Sequence, residues 1–185
     1  MRGYVLLPPL AFSVFLICTF VSAIFYPQWQ PNTFTLSDLG RDANHNSQLL
    51  FNVGCWVSGA LLSIGGIWKA IREDGLNRIS GILLAIAGVG LFAIGIATGE
   101  YPAQHDLATG TLFTCALASM FFATLYDVLN KDRLVLYSSL IIGLLLLIQW
   151  PLLLGGTQET VIIFGAAAWS LVQVYKYYKS GELFS

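Results

Sequence analysis

The chain has 185 residues, of which 56% are hydrophobic and 10% charged, with a formal net charge of -1 and a mean hydropathy of +0.72. A soluble domain carries charge on about a quarter of its residues, so this composition excludes a water-soluble globule. The chain has no basic run and no basic, aromatic-rich patch, which excludes nucleic acid as a partner.

Crossing a hydrocarbon core of about 30 Å takes roughly 20 apolar residues in a helix. Six stretches meet that requirement: Tyr4 to Tyr26, Ser47 to Trp68, Ile79 to Thr98, Ala108 to Asn130, Leu134 to Leu154 and Val161 to Tyr178. Backbone left unpaired in lipid is so costly that each must be helical throughout, and Pro8, Pro9 and Pro151 fall near span ends, where they do least harm. The expected fold is therefore an all-α polytopic membrane bundle, one transmembrane domain over residues 1–185. In the first span Val21-Ser22-Ala23 resembles a leader cleavage site, but the apolar run outlasts the usual hydrophobic region of a leader, so the span is read as retained.

Lys and Arg set the direction, because basic residues beside spans are held in the cytoplasm. Arg2, Lys69, Arg72, Arg78, Lys131, Arg133, Lys176 and Lys179 share one face, and Arg41 stands alone on the other with Asp38, Asp42, Glu100, Asp106 and Glu159. The reading is six spans in the cell membrane with both termini cytoplasmic and an acidic outer face. Trp29, Trp68, Trp150, Tyr26, Tyr101, Tyr175, Tyr177 and Tyr178 lie near span ends, where interfacial anchors belong. Small residues four apart, Gly54 with Ser58, Gly59 with Ser63, Gly81 with Ala85 and Gly95 with Gly99, predict close helix packing, while Leu144 to Leu147 predict a lipid-facing fifth helix. Cys18, Cys55 and Cys115 lie in apolar runs without a C-x-x-C pair and read as buried hydrophobes.

The connector from Pro27 to Asn46 is the one long loop, at about 20 residues against a median near five. It carries Leu36-Ser37-Asp38-Leu39-Gly40, is followed by Phe51-Asn52-Val53-Gly54 early in the second span, and Tyr101-Pro102-Ala103-Gln104-His105 precedes the fourth. In that order and placement these elements resemble the family catalogued as domain of unknown function 998. The resemblance implies a six-helix bacterial or archaeal membrane protein without an assigned activity. A more distant similarity is to the Frag, DRAM and Sfk group, from which only topology is carried over. The Pro-Glu pair usual there is replaced by Arg41-Asp42-Ala43-Asn44.

Candidate site residues gather on the outer face: Ser37, Asp38, His45, Asn52, Glu100, His105 and Asp106. Ser37 and Asp38 read either as a turn whose side chains hold backbone N–H groups, or with Asp38 as a ligand for a cation or headgroup or a base for Ser37. His45 and His105 precede inward-running spans. With a neighbouring carboxylate they would offer a divalent metal two nitrogens and an oxygen, though Asn46, Ser47 and Asp106 at the same points serve equally as caps. Asn52, roughly 8 Å inside the second span, needs a partner, either a ligand or another helix. Asp127 is assigned to Lys131 by i,i+4 spacing, and Gln149 and Glu159 are placed where they would rim a cavity.

No phosphate-binding glycine loop, nucleophile elbow or H-E-x-x-H occurs, and no motif names a cofactor. The preferred function is recognition of a lipid headgroup, cation or partner at the acidic outer face. Membrane lipids are the expected surroundings. The alternatives are an intramembrane lipid-acting enzyme, with or without a metal, and a small solute transporter.

Overall fold

A computed structural model describes residues 2–41, 44–97, 101–130, 133–149 and 155–183. Among these it is all-α: a short 3-10 turn Gly3–Leu6 leads into α1 (Leu7–Ile24), and α2 (His45–Arg72), α3 (Gly75–Ile94), α4 (Pro102–Leu129), α5 (Arg133–Gln149) and α6 (Gly155–Lys179) follow. A second 3-10 turn, Leu36–Gly40, lies in the first loop. Pro8, Pro9 and Pro102 sit in first turns, where a helix has no N–H to lose. Asn44 caps α2 by accepting from Asn46 N at 2.9 Å. Gly75, with φ +55°, takes the left-handed conformation that lets α3 leave α2 after only Glu73 and Asp74.

α2, α4 and α6 outrun the predicted spans, whereas α1 ends short of Tyr26 and α3 is displaced toward Gly75, ending before Thr98. α2 and α4 have 28 residues each, about 42 Å of rise, so both protrude beyond a hydrocarbon core. α6 begins at Gly155 rather than Val161, which brings Glu159 onto the helix. Four stretches of the described residues are long and apolar enough to cross a membrane: Gly3–Ile24, His45–Arg72, Gly75–Ile94 and Pro102–Leu129. α5 is apolar but 17 residues long, its predicted continuation lying outside the described residues, and the apolar run of α6 is interrupted by Gln173 and Lys176.

α1 to α4 form a closely packed array in chain order, and α5 and α6 dock as a looser hairpin against α4 and α1. Glycines set the closest approach. A Cβ on Gly59 would stand 2.5 Å from Phe92 N, one on Gly66 2.4 Å from Ala85 N, one on Gly81 2.6 Å from Ala70 N and one on Gly88 2.5 Å from Ser63 N. The α2–α3 contact thus uses glycines seven apart on each helix, which returns them to one face, together with two of the expected four-apart pairs, since Gly66 faces Gly81 and Ala85 while Gly88 faces Gly59 and Ser63. Gly54 instead meets Cys18 of α1, and Gly95 meets Trp56. Gly99 lies outside the described residues.

The surface is inverted relative to a soluble fold. Ile17, Ile24, Ile71, Val89, Phe121 and Leu144 point outward, while Thr19, Ser22, Ser47, Ser58, Ser80, Ser119 and Gln173 are buried. Small polar groups inside a shell of large apolar ones suit a lipid solvent, in which apolar side chains gain nothing by hiding.

Candidate functional site

The Leu-Ser-Asp-Leu-Gly motif is a plug at the end of the bundle where α1 hands over to α2. Leu36 and Leu39 are buried with Phe15, Phe51 and Ala108. Asp38 closes a capping box: its Oδ2 accepts from Thr35 N at 2.7 Å and from Thr35 Oγ1 at 2.9 Å, and Arg41 Nη1 lies 3.5 Å from Oδ1. Those contacts occupy both carboxylate oxygens, so Asp38 shapes the turn. Gly40 lets α2 approach, since a Cβ there would meet Asn52 Oδ1 and Phe51 Cδ1 at 2.7 Å. Ser47 Oγ donates to Leu39 O at 3.1 Å, and Ser22 Oγ to Ser47 O at 2.7 Å.

The loop is also sewn to α6. Leu36 N donates to Glu159 Oε2 at 2.7 Å, Gly156 N to Phe34 O at 2.6 Å, and Thr157 N to Pro31 O at 2.9 Å. The amides of an α6 first turn, which have no partner within the helix, are met by loop carbonyls. Glu159 precedes the apolar stretch of α6. Burial raises its pKa above the ordinary glutamate value, the Leu36 N–H opposes this, and the charge of Asp38 adds to the rise.

Beneath this lid is a cavity of about 230 Å³. Thr35, Ser37, Arg41, His105, Asp106 and Glu159 supply its polar rim, and Phe15, Phe51, Leu91, Ile94, Phe113 and Ile163 its apolar floor. His105 donates from Nδ1 to Ala97 O at 2.9 Å, which fixes the ring and leaves Nε2 free of that bond. Thr109 also lines the cavity, and its hydroxyl is buried with no hydrogen-bond partner. Such groups are few in native folds, and a bound ligand is one thing that satisfies them.

Of the predicted site residues, the cavity gathers Ser37, His105 and Asp106. Asp38 is held in the turn beside it. His45 is exposed at the start of α2 and does not line it, and Asn52 lies under Gly40 with Oδ1 buried and unpartnered. Glu100 lies outside the described residues, as does the side chain of Gln149. Among the described residues no three His, Cys, Asp or Glu side chains are grouped where they would hold a metal ion. Thr35, Arg41 and Thr109 are rim and wall residues that the sequence reading did not select. Their one visible signal was proximity to the motif, or to His105 one helical turn away.

The opposite end of the bundle holds a polar network that the sequence did not announce. Glu73, 4% exposed, accepts from Tyr4 Oη, from Asn77 Nδ2 at 3.1 Å and from Arg2 at 3.1 Å. Asp127, 1% exposed, pairs with Lys176 and accepts from Gln173 Nε2 at 3.1 Å. Lys131, the partner expected for Asp127 from i,i+4 spacing, lies outside the described residues; among those described, Asp127 pairs with Lys176. The carboxylate faces α6 inside the bundle, where Gln173 and Lys176, three residues apart on one helix face, reach it together.

A model of the family described as "Protein of unknown function (DUF998)" matches residues 9–175 of the chain. No curated protein and no solved structure matches it.

Proposed function

We propose that this chain, which belongs to the DUF998 family of unknown function, is a six-span protein of the cell membrane with both termini cytoplasmic, and that its outer cavity receives the polar head of a membrane lipid. Eight of nine basic residues fall on the face of the termini, which supports the direction. The exposed Tyr137, Leu140, Ile141 and Leu144 of α5 support its place in the bilayer. The observation that carries the ligand reading is the cavity's amphipathic build. One arginine and two carboxylates stand above an apolar floor continuous with the bundle interior.

Both signs of charge on one rim suit a zwitterionic head, with Arg41 opposite a phosphate and Asp106 and Glu159 opposite an ammonium. Ser37 and His105 add further hydrogen bonds. Asp38 acts by holding Arg41 and the turn in place.

The reading is tested by native mass spectrometry of the protein released from nanodiscs containing zwitterionic phospholipid. One lipid should remain bound to the wild type and be lost from Ile163→Trp, which fills the cavity. Equal lipid retention by the two proteins would refute the site. The direction is tested by cysteines introduced at Ser37 and Ser180 in a chain lacking its native three: an impermeant maleimide added outside cells should label the first and spare the second.

A further inference from the structure

At the termini end of the bundle, Lys69 of α2 is a cation without a carboxylate of its own. Its Nζ donates to Ser80 Oγ at 2.9 Å. Ser80 Oγ lies 3.1 Å from Ser119 Oγ, and Ser119 Oγ donates to Ser80 O at 2.8 Å, so the two hydroxyls are bound to one another and Ser80 Oγ is the one acceptor that Lys69 reaches. Among the described residues Lys69 makes no ion pair. Asp127 and Glu73 act on it at longer range and are already engaged, the first by Lys176 and Gln173, the second by Arg2, Tyr4 and Asn77. Lys69 Nζ thus has one hydrogen-bond partner and no ion pair among the described residues.

Lys69 lines a cavity of about 60 Å³ with Ser119, Trp169 and Gln173, and most of the remaining wall is apolar. By this measure one water needs roughly 10–15 Å³, so the space accepts a small oxyacid head and no long chain. A second cavity of about 60 Å³, with a wholly apolar lining, adjoins it and shares Phe12, Leu84, Ala116 and Ala166. A part-buried ammonium with a spare donor at the end of an apolar column is complementary to an anion carried on a hydrocarbon tail.

We infer that the Lys69 cavity is a second binding site, for a single-chain amphiphile with an anionic oxyacid head, a fatty carboxylate or an alkyl phosphate. The head accepts from Lys69 Nζ and the chain lies along the apolar column between α1, α3, α4 and α6. Lys69 is at the other end of the bundle from the outer rim, and the apolar column runs from it to the floor of the outer cavity, with which it shares Phe15, Leu91, Leu112, Phe113 and Ile163.

Trp169 supplies the test, because it lines the cavity and a chain-brominated palmitate bound there would quench its fluorescence. In detergent-solubilised full-length protein, quenching should saturate and be absent from Trp169→Phe. Palmitate and hexadecyl phosphate should both compete. Competition by only one of them still supports the site and identifies the head. Hexadecanol and inorganic phosphate should fail. Lys69→Met should weaken binding by about tenfold or more. Ala166→Phe, which obstructs the column and keeps Lys69, should abolish it and serves if the lysine variant does not fold. The inference is overturned if hexadecanol competes as well as palmitate, if inorganic phosphate alone displaces the probe, if Trp169→Phe is quenched like the wild type, or if either folded variant binds like the wild type.

Discussion

Replacing Asp127 by alanine removes the acceptor for Lys176 and Gln173 at a position 1% exposed, with Lys176 itself only 18% exposed. Breaking a buried ion pair from one side costs about 3–5 kcal/mol, because the stranded charge loses its partner without regaining water. Hydrogen bonds between membrane helices are weaker than that, about 0.6–2 kcal/mol, so the smaller figure bounds what Gln173 adds. Two lost contacts of unequal strength place Asp127→Ala near the lower end of the ion-pair range, about 3 kcal/mol, or somewhat over a hundredfold in the unfolding equilibrium. The second variant is the discriminating one. Adding Lys176→Met to Asp127→Ala removes the cation that Asp127 neutralised and should restore part of the loss, giving a coupling above the roughly 0.5 kcal/mol expected of independent sites. Reversible unfolding in mixed micelles, read by the fluorescence of the native tryptophans, measures all four proteins. If the double variant is as unstable as the sum of the singles, the pairing drawn between α4 and α6 is wrong.

Gly66→Ala forces a Cβ to 2.4 Å from the Ala85 backbone and should cost about 1–3 kcal/mol as the helices separate, whereas Gly110→Ala, with nothing within 4 Å, should stabilise by up to roughly 1 kcal/mol through helix propensity; the same micelle assay compares them. Asp38→Ala removes the capping box and should cost about 1 kcal/mol, and it should speed tryptic cleavage after Arg41 in outward-facing vesicles. Trp29→Phe loses the Nε1–H donated to Thr35 O at 2.8 Å, a smaller effect of about 1 kcal/mol or less, and should loosen the same loop in the same protease assay.

How legible these features are in the sequence follows the range of the interactions behind them. Helix positions were readable because the constraint is local: a chain entering lipid must satisfy its own backbone, and the apolar runs mark where it does so. The turn at Ser37 and Asp38 was readable for the same reason, its cap being three residues from its acceptor. Glu159 and Leu36 are 123 residues apart, and Asp127 and Lys176 are 49, and no spacing rule reaches that far. His105 was selected for its chemistry and does line the cavity, whereas His45, chosen on the same grounds, does not. The phase of a helix start about the bundle axis decides this, and composition does not carry that phase.

The Asp127–Lys176 pair joins α4 to α6 across 49 residues of chain, and Arg2 reaches both Glu73 at the end of α2 and Glu182 beyond α6. The looser α5–α6 hairpin is therefore latched to the tight four-helix array by charge, where α1 to α4 hold one another by close packing.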